Sequence, residues 1–119
     1  MKRHNFKKLK IWQEGVALVI ETYKTTKTFP SEEKFGLISQ LNRCSVSIPS
    51  NIAEGTSKSS EKHFKNFLET SLGSTFEWET QIIIAEKLKY ISSDEFEELE
   101  TRIIQLQKMI SGFISKLKS

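Results

Sequence analysis

Two prolines, five glycines and a single cysteine are spread over 119 residues. So few turn formers leave little material for loops, and long helices are the natural expectation. Cys44 has no second cysteine to pair with, and its place on an apolar helical stripe reads as a buried structural thiol rather than a nucleophile. The longest apolar run, Val16 to Ile20, is too short to cross a bilayer or to form the core of a signal peptide. A cytoplasmic protein with no membrane partner is expected. Histidine is equally scarce. Neither His4 nor His63 has a Glu three residues before it, so the Glu-x-x-His pairs of di-iron bundles are missing. These histidines and Cys44 lack metal-ligand spacing, and no G-x-x-x-x-G-K-[ST] loop is present to cradle a phosphate. His63 has no nucleophile placed with it and reads as a solvated or capping side chain. The expectation is a non-enzyme with no catalytic residue, metal or cofactor.

What the chain does have is the composition of a soluble globular protein, 37% hydrophobic and 28% charged. Its length fits one domain, residues 1–119, with one core. The net charge of +3 and pI near 9.0 permit nucleic-acid binding without requiring it. Distribution says more than the total. Lys2, Arg3, Lys7, Lys8 and Lys10 cluster near the N-terminus, and Lys116 and Lys118 close the chain. Arg3, Lys7, Lys8 and Lys10 are the candidate phosphate contacts; a frayed, solvated terminus is the alternative. The acidic block Asp94, Glu95, Glu97, Glu98 and Glu100 reads as compensation of a helix dipole and as solubility.

Periodicity predicts four helices. Leu9, Trp12, Val16, Val19, Ile20 and Tyr23 fall at helical spacing between Phe6 and about Thr28. Phe29-Pro30 interrupts this helix, and Ser31 is the expected cap of the next, with Glu32 and Glu33 at its positive end. Pro49 inside the second helix should kink it or make it restart near Ile48, with hydroxyls of Ser45, Ser47 and Ser50 near enough to serve the freed backbone groups. Gly55 is the expected left-handed terminator. A third helix, capped by Ser59 or Ser60, should reach about Tyr90 along the seam Phe64, Leu68, Leu72, Thr75, Glu79 and Ile82. Phe67, Phe76 and Trp78 widen its apolar surface, and Gly73 suggests a close backbone approach. The fourth helix opens with a capping box, Ser92 with Glu95. Its residues Phe96, Leu99, Ile103, Leu106, Ile110, Phe113 and Leu117 then alternate steps of three and four without a miss. The fold expected is all-α, an antiparallel up-down-up-down four-helix bundle.

The stretch from Leu37 to Gly55 carries two organised faces. Leu37, Leu41, Cys44, Ile48 and Ile52 make a core stripe, and Gln40, Arg43, Ser47, Asn51 and Glu54 fall on a second face. The second face contains no lysine and mixes forked, amide and hydroxyl groups. Those groups suit a paired contact in a subunit or partner interface, with an ordinary polar surface as the alternative. Glu79 sits on a mostly apolar seam and needs a partner, for which Arg43 is the first choice; a rotation that exposes Glu79 is the alternative.

Particular residues also carry a family resemblance: Phe6 to Gln13, Phe29-Pro30 followed by Glu33, Gly36-Leu37, Gln40 to Arg43, the run Ser47 to Gly55 (SIPSNIAEG), Phe67-Leu68, Gly73-Ser74, and Glu77 to Thr80. Over nearly its whole length the chain resembles the bacterial four-helix bundle proteins, also called 23S rRNA intervening-sequence proteins. Cys44 stands where a small Ala is usual, and Trp78 where an aliphatic residue is common. The resemblance implies a homo-oligomer, a pentameric ring of bundles, without enzymatic activity. Members are encoded within insertions of the large-subunit rRNA gene, and related accessory proteins of diversity-generating retroelements bind nucleic acid and a reverse transcriptase. An oligomeric adaptor for structured RNA, or for DNA, is therefore one expectation. A protein-interaction scaffold using the Gln40 to Glu54 face is the other.

Overall fold

The computed structural model describes residues 3–117, which form four α-helices: α1 Lys10–Thr26, α2 Leu37–Thr56, α3 Glu61–Lys87 and α4 Ser93–Lys116. No strand occurs among the described residues. The helices pack around one apolar core in which Leu41, Ile48, Ile52, Phe64, Leu68, Trp78, Ile103 and Ile110 are fully buried. Lys2 and Lys118, counted among the basic ends, lie outside the described residues.

The first helix starts later than periodicity predicts and turns a different face inward. Residues Phe6–Lys8 form a separate 3-10 turn, capped by the Asn5 side chain, and Leu9 is extended. The buried face is Ile11, Gly15, Leu18, Thr22, Thr25 and Thr26. Its inward side depends on a small residue and on hydroxyls, which contribute little to an apolar pattern. A Cβ on Gly15 would lie 3.3 Å from Pro49 Cβ, so the glycine lets α1 close on α2. The expected stripe lies further round the helix. Trp12, Val16 and Val19 are half-buried there, while Ile20 and Tyr23 are 54% and 45% exposed.

Ser31 does not cap the second helix. Ser31–Glu33 form their own 3-10 turn, and α2 begins only at Leu37, whose backbone N–H donates to Glu33 Oε1 at 3.0 Å. Pro49 neither ends nor restarts the helix, which continues through it to Thr56. The nearby hydroxyls serve other carbonyls than that of Ser45: Ser45 Oγ donates to Asn42 O and Ser47 Oγ to Cys44 O. Gly55 is likewise helical, lying within α2 without a positive φ. Its role is steric. A Cβ there would lie 2.8 Å from Phe64 Cδ1 and 2.9 Å from Phe67 Cβ. We expect Gly55→Ala to destabilise the protein by about 1–2 kcal/mol in urea unfolding, because the overpacking penalty exceeds the helix-propensity gain of alanine.

The join between α2 and α3 is the most extensive in the molecule. Its contacts descend α2 as they climb α3, from Gly55 beside Phe64, to Ser71 Oγ donating to Ile48 O at 2.8 Å, to Cys44 Sγ donating to Ser74 O at 3.2 Å. Ser60 caps α3 as expected. The helix stops at Lys87 rather than Tyr90, because Lys89 takes a left-handed conformation with φ 64°, and Tyr90 N–H closes back on Ala85 O. Gly73 makes no close approach; nothing would meet its Cβ within 4 Å. Trp78 belongs to the core, while Phe76 is 54% exposed. In α4 the Ser92–Glu95 capping box is present, and Leu99, Ile103, Leu106 and Ile110 are buried. Phe96, Phe113 and Leu117 pack against them. Contact between α1 and α4 is sparse by comparison.

Candidate nucleic-acid interface

The basic N-terminal segment is seated on one end of the bundle. Arg3 Nε donates to Ser57 O at 3.1 Å, at the end of α2. The His4 ring lies 5.5 Å from that of Phe64 at the start of α3 and 5.6 Å from Phe113 near the end of α4. Phe64 and Phe113 themselves meet edge to face at 5.8 Å. Aromatic packing of this kind fixes the path of an otherwise solvated segment. It also brings the exposed Lys7 and Lys8 to the end where Lys62 and Lys116 are exposed and Lys58 is half-buried. Lys10 is exposed and is the first residue of α1. Two cations rest over rings there: Lys7 Nζ is 6.0 Å from the centroid of Phe6, and Lys58 Nζ 4.8 Å from that of Phe67. Glu54 and Glu61 also lie at this end.

Sequence reading singles out Arg3, Lys7, Lys8, Lys10 and Lys116 as candidates and passes over Lys58 and Lys62, which sit mid-chain with no local run to mark them. The available signal was topological. In the alternating bundle that the sequence predicts, chain start, second connection and chain end fall at one end.

The opposite end carries Glu32, Glu33, Asp94, Glu95, Glu97 and Glu98 beside Lys34, Lys87 and Lys89. Tyr90 ties it together, with its ring 5.3 Å from that of Phe29 and its hydroxyl donating to Glu33 Oε2 at 2.8 Å. The Leu37 N–H and then the Tyr90 hydroxyl lower the Glu33 pKa, while the bond to Glu33 raises that of Tyr90. The signs differ. The depressed carboxylate adds stability above its ordinary range and loses it as pH falls through the folded value. The raised phenol adds stability below its ordinary range and loses it as pH rises through the folded value. We expect Glu33→Gln to weaken the acid limb of a urea-midpoint profile against pH, and Tyr90→Phe to weaken the alkaline limb.

The polar set on α2 faces outward. Gln40, Arg43 and Glu54 are exposed, while Ser47 and Asn51 are half-buried. The last two satisfy themselves within their own helix: Ser47 Oγ donates to Cys44 O, and Asn51 Nδ2 to Ser47 O. Glu79 is half-buried and takes its partner from α4, where Gln107 Nε2 donates to Oε1 at 2.9 Å. This contact, rather than one with the exposed Arg43, answers the need of a carboxylate beside the core. Sequence reading missed Gln107 because it flanks the apolar stripe of α4.

Cys44 is buried, and desolvation, with Glu77 nearby, pushes its thiol up to about 12. It is held as a neutral thiol near neutral pH, unsuited to nucleophilic attack. Among the described residues, no group of three or more His, Cys, Asp or Glu could hold a metal ion. No helix there is long and apolar enough to cross a membrane.

No curated protein matches this chain. Among solved structures, a protein of unknown function from the S23 ribosomal protein family of Bacteroides thetaiotaomicron superposes with a TM-score of 0.82. It is 21% identical in sequence, over 89% of this chain and 96% of that one. At that identity the likeness concerns the fold. Neither its description nor that of the matching family indicates an enzymatic activity. Residues 7–112 match the family model described as 23S rRNA-intervening sequence protein, and the chain belongs to that family.

Proposed function

We propose that this protein is a non-catalytic, oligomeric adaptor of the bacterial cytoplasm that binds structured RNA through its basic end. The observation that carries the reading is the convergence there of Arg3, Lys7, Lys8, Lys58, Lys62 and Lys116 from separate parts of the chain. Each cation contributes little alone, but neutralising several phosphates together releases counterions and gives useful affinity. In this reading the bundle is antiparallel, up-down-up-down, and assembles into a homopentameric ring that multiplies the cluster by avidity. Support for assembly comes from the half-exposed apolar strip of α1, with Ile20 and Tyr23. The neighbouring α2 presents exposed Val46 and the outward Gln40, Arg43, Ser47, Asn51 and Glu54 set. Exposed apolar side chains and a lysine-free polar face are both features of subunit contacts.

The same outward set favours a second reading, a protein-interaction scaffold in which the basic end is merely solvated. Salt titration separates the two. Purified protein of known oligomeric mass is titrated against structured rRNA fragments and against duplex DNA. The adaptor reading expects RNA to bind more tightly, with log affinity falling linearly in log salt. Replacing Lys7, Lys8 and Lys10 by Gln should weaken binding and make that slope shallower. No binding near physiological salt would leave the scaffold.

A further inference from the structure

We infer that the basic end takes unpaired nucleotides, as in a single strand or the loop of a folded RNA, by stacking bases on its rings rather than gripping duplex phosphates alone. This rests on the adaptor reading above and names the form of nucleic acid that the same surface accepts. A surface built only for duplex backbone needs spaced cations and no rings. Here the cations are interleaved with flat apolar groups. His4 is exposed, with Phe64 and Phe113 at 5.5 and 5.6 Å supporting its ring. Phe67 is half-buried, and its ring lies under Lys58 Nζ at 4.8 Å. Phe6 is half-buried, braced edge to face by Trp12 at 5.2 Å, with Lys7 Nζ over it at 6.0 Å. The His4 and Phe6 rings are therefore held from the protein side before any ligand arrives, which lowers the ordering cost of binding.

The overlying lysines have a place in the same scheme. A flexible ammonium lying on a ring covers apolar surface in the free protein. When a base takes that position, the displaced ammonium stays within reach of the phosphate attached to it. Base and phosphate would thus be met by neighbouring groups, the arrangement used for single strands, whose bases expose a π-face that duplexes keep stacked. Paired bases cannot reach His4 or Phe67 without being splayed out.

The test is fluorescence anisotropy with a twelve-nucleotide single-stranded RNA and a twelve-base-pair RNA duplex, each titrated at several salt concentrations. The single strand is expected to bind at least about tenfold more tightly at equal salt. His4→Ala, at an exposed position, should lose about fivefold or more for the single strand with an unchanged salt slope and unchanged duplex binding. Phe67→Leu keeps apolar bulk beside Gly55 and should do the same, whereas Lys58→Gln should reduce the salt slope. Equal binding of both forms, with the ring variants indistinguishable from the parent, would overturn the stacking inference while leaving phosphate binding intact. If neither form binds, the adaptor reading falls as well.

Discussion

Trp78→Ala should cost the fold about 3–5 kcal/mol, the range for truncating a buried aromatic. Trp78 is the largest wholly buried side chain, and it also pins α3 to α1. Its Nε1–H donates to Thr22 Oγ1 at 3.1 Å, and that hydroxyl donates onward to Leu18 O at 2.6 Å. Removing the indole leaves a cavity in the core and takes from Thr22 the donor its buried oxygen accepts. Trp78→Phe separates the two effects. It keeps most of the apolar volume and should cost less, with about 1 kcal/mol of its loss due to the missing hydrogen bond. Domains of this size are stable by only about 5–15 kcal/mol, so the alanine variant gives up a large share of the whole. Urea unfolding of the three proteins at one temperature measures this directly. A loss under 1 kcal/mol for Trp78→Ala would mean that α1 does not depend on this contact.

The same residue shows why parts of the fold were legible in sequence and others were not. The last helix reads correctly because its buried positions are all large and apolar, so chemistry and geometry give one period. The first reads wrongly because its inward face is made of Gly15, Thr22, Thr25 and Thr26 beside only two large hydrophobes, Ile11 and Leu18. Thr22 faces inward to meet Trp78, fifty-six residues away, a partner that no local window contains. Tyr23 and Ile20 outscore it on hydropathy and point outward. Gly55 misled in a related way. Glycine after a helical run usually signals a left-handed stop, but here the need is for absence of a Cβ beside Phe64 and Phe67. Of the candidate surface, the N-terminal cations were visible as a cluster. Their companions Lys58 and Lys62 were not, because no local run marks them and they join the N-terminal cations through long-range contacts, Arg3 with Ser57 and His4 with Phe64 and Phe113.

Phe64→Ala should be about as costly, 3–5 kcal/mol by the same reasoning, and its consequences should reach the candidate binding surface. Phe64 is fully buried, supports His4, meets Phe113 and lies against the position where a Gly55 Cβ would stand. Without it the N-terminal segment loses one of the two rings on which His4 rests. The Arg3 contact with Ser57 should then exchange with water more freely. A double-mutant cycle tests the steric part. In the parent, Gly55→Ala drives a methyl into Phe64; in the Phe64→Ala background that ring is gone, while Phe67 Cβ, at 2.9 Å, still opposes it. The penalty for Gly55→Ala should shrink by about 0.5 kcal/mol or more, a coupling of the size seen between side chains in contact. Additivity across the cycle would show instead that Phe67, or the backbone of α3, sets the requirement for glycine. The ring beneath His4 would then bear on the binding surface alone, and the close approach of α2 to α3 would need another explanation.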